Sequence, residues 1–228
     1  MKGFVAKYSP YLLIVSGLLL LFFSFGPIVY SEAWYYLKQH RNQEFIVALN
    51  PATSSKINHG AEDSVFSRFL SGRSIIEAPA NTDFAIIIEK IGVNAPVVPN
   101  VSVTNPDAYN EALKNGVAHA ISSDNPSTDP GNTYLFAHAS LNFWELGKYA
   151  TTFNLLRKLE LNDLVRVVYK NKVYTYYVVN IEVHEGWNTA PITRTVIEPI
   201  LTLQTCDPPG TTLNRLVVTA KLRDVQDL

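Results

Sequence analysis

One cysteine, Cys206, serves all 228 residues, so the chain has no partner for an internal disulfide and no thiolate cluster for zinc. Charge of either sign is scarce and balanced: 19 Lys and Arg stand against 20 Asp and Glu, a formal net charge of -1. No dense basic block occurs, so the counterion release that drives nucleic-acid binding has no source, and nucleic acid is excluded as a partner. The 5 histidines are scattered and the acidic residues lack the spacing of a calcium-binding loop, so no metal constellation stands out. Internal repeats and low-complexity tracts are also missing.

What the chain does have is apolar material, 47% of its residues. From Tyr11 to Tyr30 it runs uncharged and rich in Leu, Ile, Val and Phe, about the length of a helix that crosses a bilayer. Lys2 and Lys7 precede the run, whereas Glu32, Lys38, His40 and Arg41 follow it, which favours an inside amino terminus. A cleaved secretory signal is the alternative, with small residues around Ser31-Glu32-Ala33. The run, however, exceeds the ~7–15 apolar residues of such signals. Either way the remainder is exported, and Cys206 becomes a free thiol in an oxidising compartment, where it needs burial or a chemical role.

These features divide the chain into a cytoplasmic tail (1–10), a transmembrane signal-anchor (11–30), an extracytoplasmic stalk (31–81) and one folded domain (82–228). The stalk holds a flexible stretch, Pro51-Ala52-Thr53-Ser54-Ser55. Val65, Phe66, Phe69 and Leu70, closed by Gly72, predict one short amphipathic helix in it.

From Phe84 onward the pattern is mainly β. Phe84 to Ile88, Tyr134 to Ala137, Leu164 to Tyr169, Tyr174 to Val183, Ile200 to Gln204 and Leu213 to Leu222 are β-branched or aromatic runs between turn signals, with Lys170-Asn171-Lys172 as a hairpin turn. Asn105 and Pro106 begin a helix that Gly116 ends, and Thr152 caps a second one carrying Phe153, Leu155, Leu156 and Leu159. Many short strands with few helices predict a closed barrel.

Cys206 follows the β-prone run Pro199 to Gln204 and precedes the strand-breaking Asp207, Pro208, Pro209 and Gly210, which puts the thiol at a strand's end, open to a cleft. A buried inert cysteine is the plain reading. A nucleophile would need a base or cation to hold its thiolate. His138, after Tyr134-Leu135-Phe136-Ala137, also stands at a strand end. His119 lies just past a helix end as a groove or supporting residue, while His40, His59 and His184 have solvated or structural readings. Arg215 lies nine residues past Cys206, far enough for the chain to return as the neighbouring antiparallel strand and bring a guanidinium beside the thiol (215 − 206). Such a fixed cation can hydrogen-bond a carbonyl oxygen as it becomes an oxyanion.

Thr-Leu-Gln-Thr-Cys at 202–206, the proline-rich turn and Asn214-Arg215-Leu216-Val217-Val218-Thr219-Ala220 resemble the closing strands of sortases, membrane-anchored cysteine transpeptidases. Ile87 to Val97 resembles that family's opening strand pair, and Gly131 to His138 its histidine strand, so the likeness covers about residues 82 to 222. Ala137 and Ala139 depart from it, since the family usually has Gly before its histidine and a polar or basic residue after. The resemblance implies an eight-stranded β-barrel with a few short helices, with Cys206 as nucleophile, His138 as acid or base and Arg215 as the oxyanion and substrate-positioning group. It implies a substrate class, exported proteins with a sorting signal of the Leu-Pro-x-Thr-Gly kind, cleaved through a thioester. It also implies an acceptor, an amine of a cell-wall precursor or a pilin lysine. No cofactor is required; some sortases use calcium, and no ligands for it are assigned here. No second apolar segment follows Leu222, an expectation against the pilus-assembling kind.

Two other classes stay open. Exported cysteine peptidases use the same groups, although papain-like ones place Cys before His, and L,D-transpeptidases keep Arg closer to the thiol. A membrane-tethered barrel that binds peptide without catalysis would hold Cys206 inert.

Overall fold

The structure, a computed structural model, describes residues 2–40, 45–49, 75–139, 149–186 and 188–228. The stretch 51–55 and the short helix expected over 65–72 lie outside them. A long helix, α1 (Lys2–His40), leads into two short strands, β1 (Phe45–Val47) and β2 (Ile75–Glu77), paired in parallel. The body consists of β3 (Phe84–Ile88), β4 (Val93–Val101), α2 (Pro106–Asn115), β5 (Val117–Ala120), β6 (Gly131–Phe136), β7 (Leu164–Tyr169), β8 (Lys172–Glu185), α3 (Ala190–Thr193), β9 (Pro199–Asp207) and β10 (Asn214–Asp227). Strands β3 to β10 close into one barrel, the closed barrel that the sequence predicts, in the order β10-β8-β7-β3-β4-β5-β6-β9. Pairs β4–β5 and β6–β9 are parallel and the others antiparallel.

Strand alternation explains the core. Leu201 and Leu203 on β9, Leu216, Val218 and Ala220 on β10, and Ile86 and Ile88 on β3 all join one buried cluster. Each large side chain removed from water in this way contributes about 1.5–3 kcal/mol. The other parity of β9, namely Ile200, Thr202, Gln204 and Cys206, faces away from that cluster. Val47, from β1, packs with Ala85, Ile87, Val168 and Val173 into a second cluster on the opposite face of β3 and β7.

Local signals work as read at several points. Lys170 and Asn171 both have positive φ, 50° and 60°, the conformation of a tight hairpin turn between β7 and β8. Asn105 caps α2, its Oδ1 accepting from the N–H groups of Asp107 and Ala108 at 3.1 Å each. Gly116, where α2 ends, is required by close approach, because a Cβ there would collide with the Pro96 carbonyl oxygen.

The helix expected after Thr152 is replaced by turns and a single 3-10 turn, Leu156–Lys158. The Thr152 hydroxyl donates backward to the Tyr149 carbonyl at 2.8 Å and so caps no N–H ahead of it. Phe153, Leu155, Leu156 and Leu159 are still buried in the main core.

Helix α1 continues past Tyr30 to His40, and its last turns dock on the barrel. Tyr35 enters the main core, Lys38 is 9% exposed, and Glu32 pairs with Arg157 and, at 3.1 Å, with Lys158. Among the described residues no helix is long and apolar enough to cross a membrane. Within the apolar run, the side chains at 23–25, 27 and 28 are outside the description.

Candidate active site

Register places the candidate residues. On β9 and β10, Cys206 and Arg215 are directly opposed, followed by the pairs Gln204↔Val217 and Thr202↔Thr219. Directly opposed side chains on neighbouring strands share a face. On the far side of β9, Phe136 of β6 is paired with Gln204, and the Ala137 N–H extends the ladder by donating to the Gln204 carbonyl at 3.2 Å. His138 is two residues past Phe136, as Cys206 is two past Gln204, so the same parity brings the imidazole to the face that carries the thiol. The Thr205 hydroxyl, donating to the Ala137 carbonyl at 2.9 Å, ties the two strand ends together.

The turn after β9 closes over this point, with the Gly210 N–H donating to the Ala139 carbonyl at 2.6 Å. Arg215 is held by its own turn, Nη1 donating to the carbonyls of Thr212 at 3.1 Å and Asn214 at 3.0 Å. Gly186 leaves room for this loop: a Cβ there would lie 2.9 Å from the Thr212 oxygen and 3.6 Å from Arg215 Nη1.

Burial and charge act oppositely on the thiol. Burial pushes the Cys206 pKa up, and the Arg215 guanidinium pulls it partly back. Burial pushes His138 down, and among the described residues its Nε2 is buried without a hydrogen-bond partner. Both shifts favour the uncharged forms, a thiol and a neutral imidazole. Attack by sulfur requires a proton to leave the thiol.

Two tyrosines that the sequence reading passed over complete the pocket. Tyr109, on α2, stacks on Phe136 (5.1 Å between centroids, 13°) and stands edge-on to His138 (5.8 Å, 78°). Burial pushes its phenol up to about 12; the Cys206 charge also raises it and Arg215 lowers it. Tyr134 donates to Gln204 Oε1, and burial raises its pKa as well. An aromatic at the fourth residue of a predicted helix reads simply as core, so sequence offered no signal for Tyr109.

The remaining histidines separate clearly. His119 is fully buried on β5, with Nε2 3.1 Å from both the Asp124 carbonyl and Ser123 Oγ and its ring 5.5 Å from Phe84, a packing role inside the barrel. His184 is registered opposite Arg215 on β8, where Nε2 meets Glu182 at 2.9 Å and Nδ1 meets Asn188 at 3.1 Å. Among the described residues no group of three His, Cys, Asp or Glu side chains is arranged to hold a metal ion.

A barrel of this topology, with Cys, Arg and His at the ends of three adjacent strands, defines a class. The sortase-domain family model matches residues 86–223, more than half the chain, and the chain belongs to the sortase family, a family of cysteine transpeptidases. Solved structures agree on the fold. Sortase C1 of GBS Pilus Island 1 is 23% identical with a TM-score of 0.52, over 62% of this chain and 64% of that one. Clostridium perfringens sortase C, solved with the C-terminal cell wall sorting motif, is 23% identical with a TM-score of 0.51, over 61% and 69%. Streptococcus pneumoniae sortase C, described in connection with pilin substrate specificity, is 20% identical with a TM-score of 0.54, over 73% and 78%. The chain thus spans slightly less than two thirds of the first of these relatives. No curated protein sequence matches it.

Proposed function

We propose that this chain is an extracytoplasmic transpeptidase that cleaves a carboxy-terminal sorting signal of the Leu-Pro-x-Thr-Gly kind and transfers the acyl group to an amine. The carrying observation is the register that sets Cys206 opposite Arg215, with His138 arriving on the same face from β6.

In this reading the Cys206 thiol passes its proton to His138 and the sulfur attacks the scissile carbonyl carbon. Arg215 donates to the oxygen as it gains charge. The tetrahedral centre collapses, the carbon–nitrogen bond breaks, and His138 returns its proton to the departing amine. A thioester remains. An incoming amine, from a cell-wall precursor or a pilin lysine, gives a proton to His138 and attacks the thioester; the sulfur leaves and is reprotonated. The thioester conserves acyl-transfer potential, so an amine competes with water. The sorting-motif complex and pilin-specific relatives support this substrate class by similarity of fold.

Membrane anchoring by α1 is part of the same proposal. Leu12, Leu13, Ile14, Leu18 and Leu20 are all more than half exposed, an apolar surface on the described part of the helix.

The test is to incubate the chain with a sorting-signal peptide and a glycine or lysine amine and to weigh the products. Ligated peptide is expected, absent with Cys206→Ala and His138→Ala. If only the hydrolysed acid forms with every amine, the transfer reading fails in favour of a peptidase.

A further inference from the structure

The face that carries Cys206 and Arg215 extends along β9 and β10 to a second cation. Arg194 follows α3 in the connection between β8 and β9, and its Nη2 donates to Thr202 Oγ1 at 2.7 Å and Thr219 Oγ1 at 2.9 Å. Those threonines are themselves a register pair, two pairs along from Cys206↔Arg215. The guanidinium is half-buried, and its Nε is buried with no acceptor among the described residues. No carboxylate stands within ion-pair distance of it among the described residues. The nearest influence is Glu182, whose oxygens are taken by Asn180 at 2.6 Å and His184 at 2.9 Å. Buried charge without a partner is costly, and burial lowers the Arg194 pKa accordingly.

Arg194 also lines a cavity of about 450 Å³ with Ser122, Asn132, Ile192 and Val196. Asp124 borders the same cavity, with one carboxylate oxygen accepting from the Asn132 N–H at 2.9 Å. The cavity therefore offers a cation on one wall, a carboxylate tied to the backbone on another, and apolar surface between.

The direction in which a peptide lies follows from the reaction. The acyl portion stays attached through the thioester while the amine portion leaves and is replaced, so a lasting contact along β9 and β10 serves the acyl portion. Thr202 and Cys206 are four residues apart on one face (206 − 202), about 13 Å, a distance an extended peptide covers in roughly four residues.

We infer that Arg194 reads an acidic side chain of the substrate peptide at the one or two positions just before Leu-Pro-x-Thr, roughly five to six residues on the amino-terminal side of the bond that Cys206 attacks, an assignment that rests on the transpeptidase reading of the site. The carboxylate enters the cavity and accepts from the guanidinium that the two threonines hold in place. An acidic residue at that place makes the peptide a better substrate through binding and leaves the chemical step alone.

The experiment uses sorting-signal peptides in which Asp or Glu, and in parallel Asn or Gln, is scanned over those positions, with two readouts. One is kcat/KM for ligation. The other is binding of fluorescent peptide to the Cys206→Ala chain, which needs no catalysis. At one position the acidic peptide is expected to exceed its amide counterpart by about tenfold in both readouts, the scale of one charge-assisted hydrogen bond. Arg194→Met should bring that ratio to one. Arg194→Glu should invert it toward lysine-bearing peptides, and an inversion cannot arise from misfolding. Turnover without acidic preference at any position, or a preference that survives Arg194→Met, overturns the inference and leaves the transpeptidase standing. Arg194-dependent binding without ligation supports the subsite and removes the reaction. No acidic preference in either readout and no ligation removes both.

Discussion

Arg215 has two duties at the residue scale, and each has its own readout. As donor to a developing oxyanion its loss should lower kcat/KM by about 10²–10³-fold in Arg215→Ala. As the cation that pulls the Cys206 pKa down, its loss should also move the alkaline limb of thiol alkylation upward, measured with iodoacetamide across pH. The wild-type profile follows from signs alone. Burial raises the thiol and lowers the imidazole, so protonation of His138 begins below its ordinary value of about 6.5 and ionisation of Cys206 above about 8.5. A bell-shaped kcat/KM profile with limbs outside those values is expected; an optimum confined to a narrow band inside them would contradict the burial argument. Tyr109 orients the imidazole by packing, with no carboxylate doing so among the described hydrogen bonds. Tyr109→Phe should retain the ring contacts and most of the rate. Tyr109→Ala should lower kcat by about tenfold and shift the acid limb toward the ordinary histidine value as water reaches the ring.

At the scale of elements, the site depends on where the β9–β10 turn lies, and Gly186 at the end of β8 guards that turn. Gly186→Ala sets a methyl against the Thr212 carbonyl, so the Arg215 anchor must move. The expected result is a fall in kcat with a stability loss of about 1–3 kcal/mol, checked by urea unfolding beside the kinetics. Strand identities were readable in the chain because β-branched runs ended at Asn-Lys, Pro-Gly and Asn-Pro punctuation. The β7–β8 hairpin and the cap of α2 lie where those residues put them. The Cys206–Arg215 pairing was readable too, since the eight residues between them (207–214), with two prolines and a glycine, leave a tight antiparallel return. Thr152 misled because a hydroxyl serves equally well as a backward turn acceptor's partner and as a forward cap. Arg194 and Tyr109 were silent for another reason. Each reaches the active face from outside the strands that carry Cys206 and Arg215, and no strand period records such a contact.

For the whole molecule, α1 joins the barrel through a compact clamp. Burial acts to raise the Glu32 pKa, but hydrogen bonds from Lys158 and Arg157 prevail and hold it below its ordinary value. Removing residues 1–30 keeps the clamp and should give a chain that folds and turns over peptide in solution. Removing residues 1–40 takes Tyr35 out of the core and should lower the melting temperature by about 2–4 °C for each kcal/mol lost. Equal melting of the two truncations would show the clamp to be idle.

Ring closure of β3 to β10 has a consequence for the visiting peptide. With each of those eight strands flanked on both sides, no rim is left for a guest to extend the sheet by main-chain zippering. Recognition then falls to side chains lowered onto a finished surface. Methylating the guest's backbone nitrogens upstream of the scissile bond should matter less than altering the groups it carries.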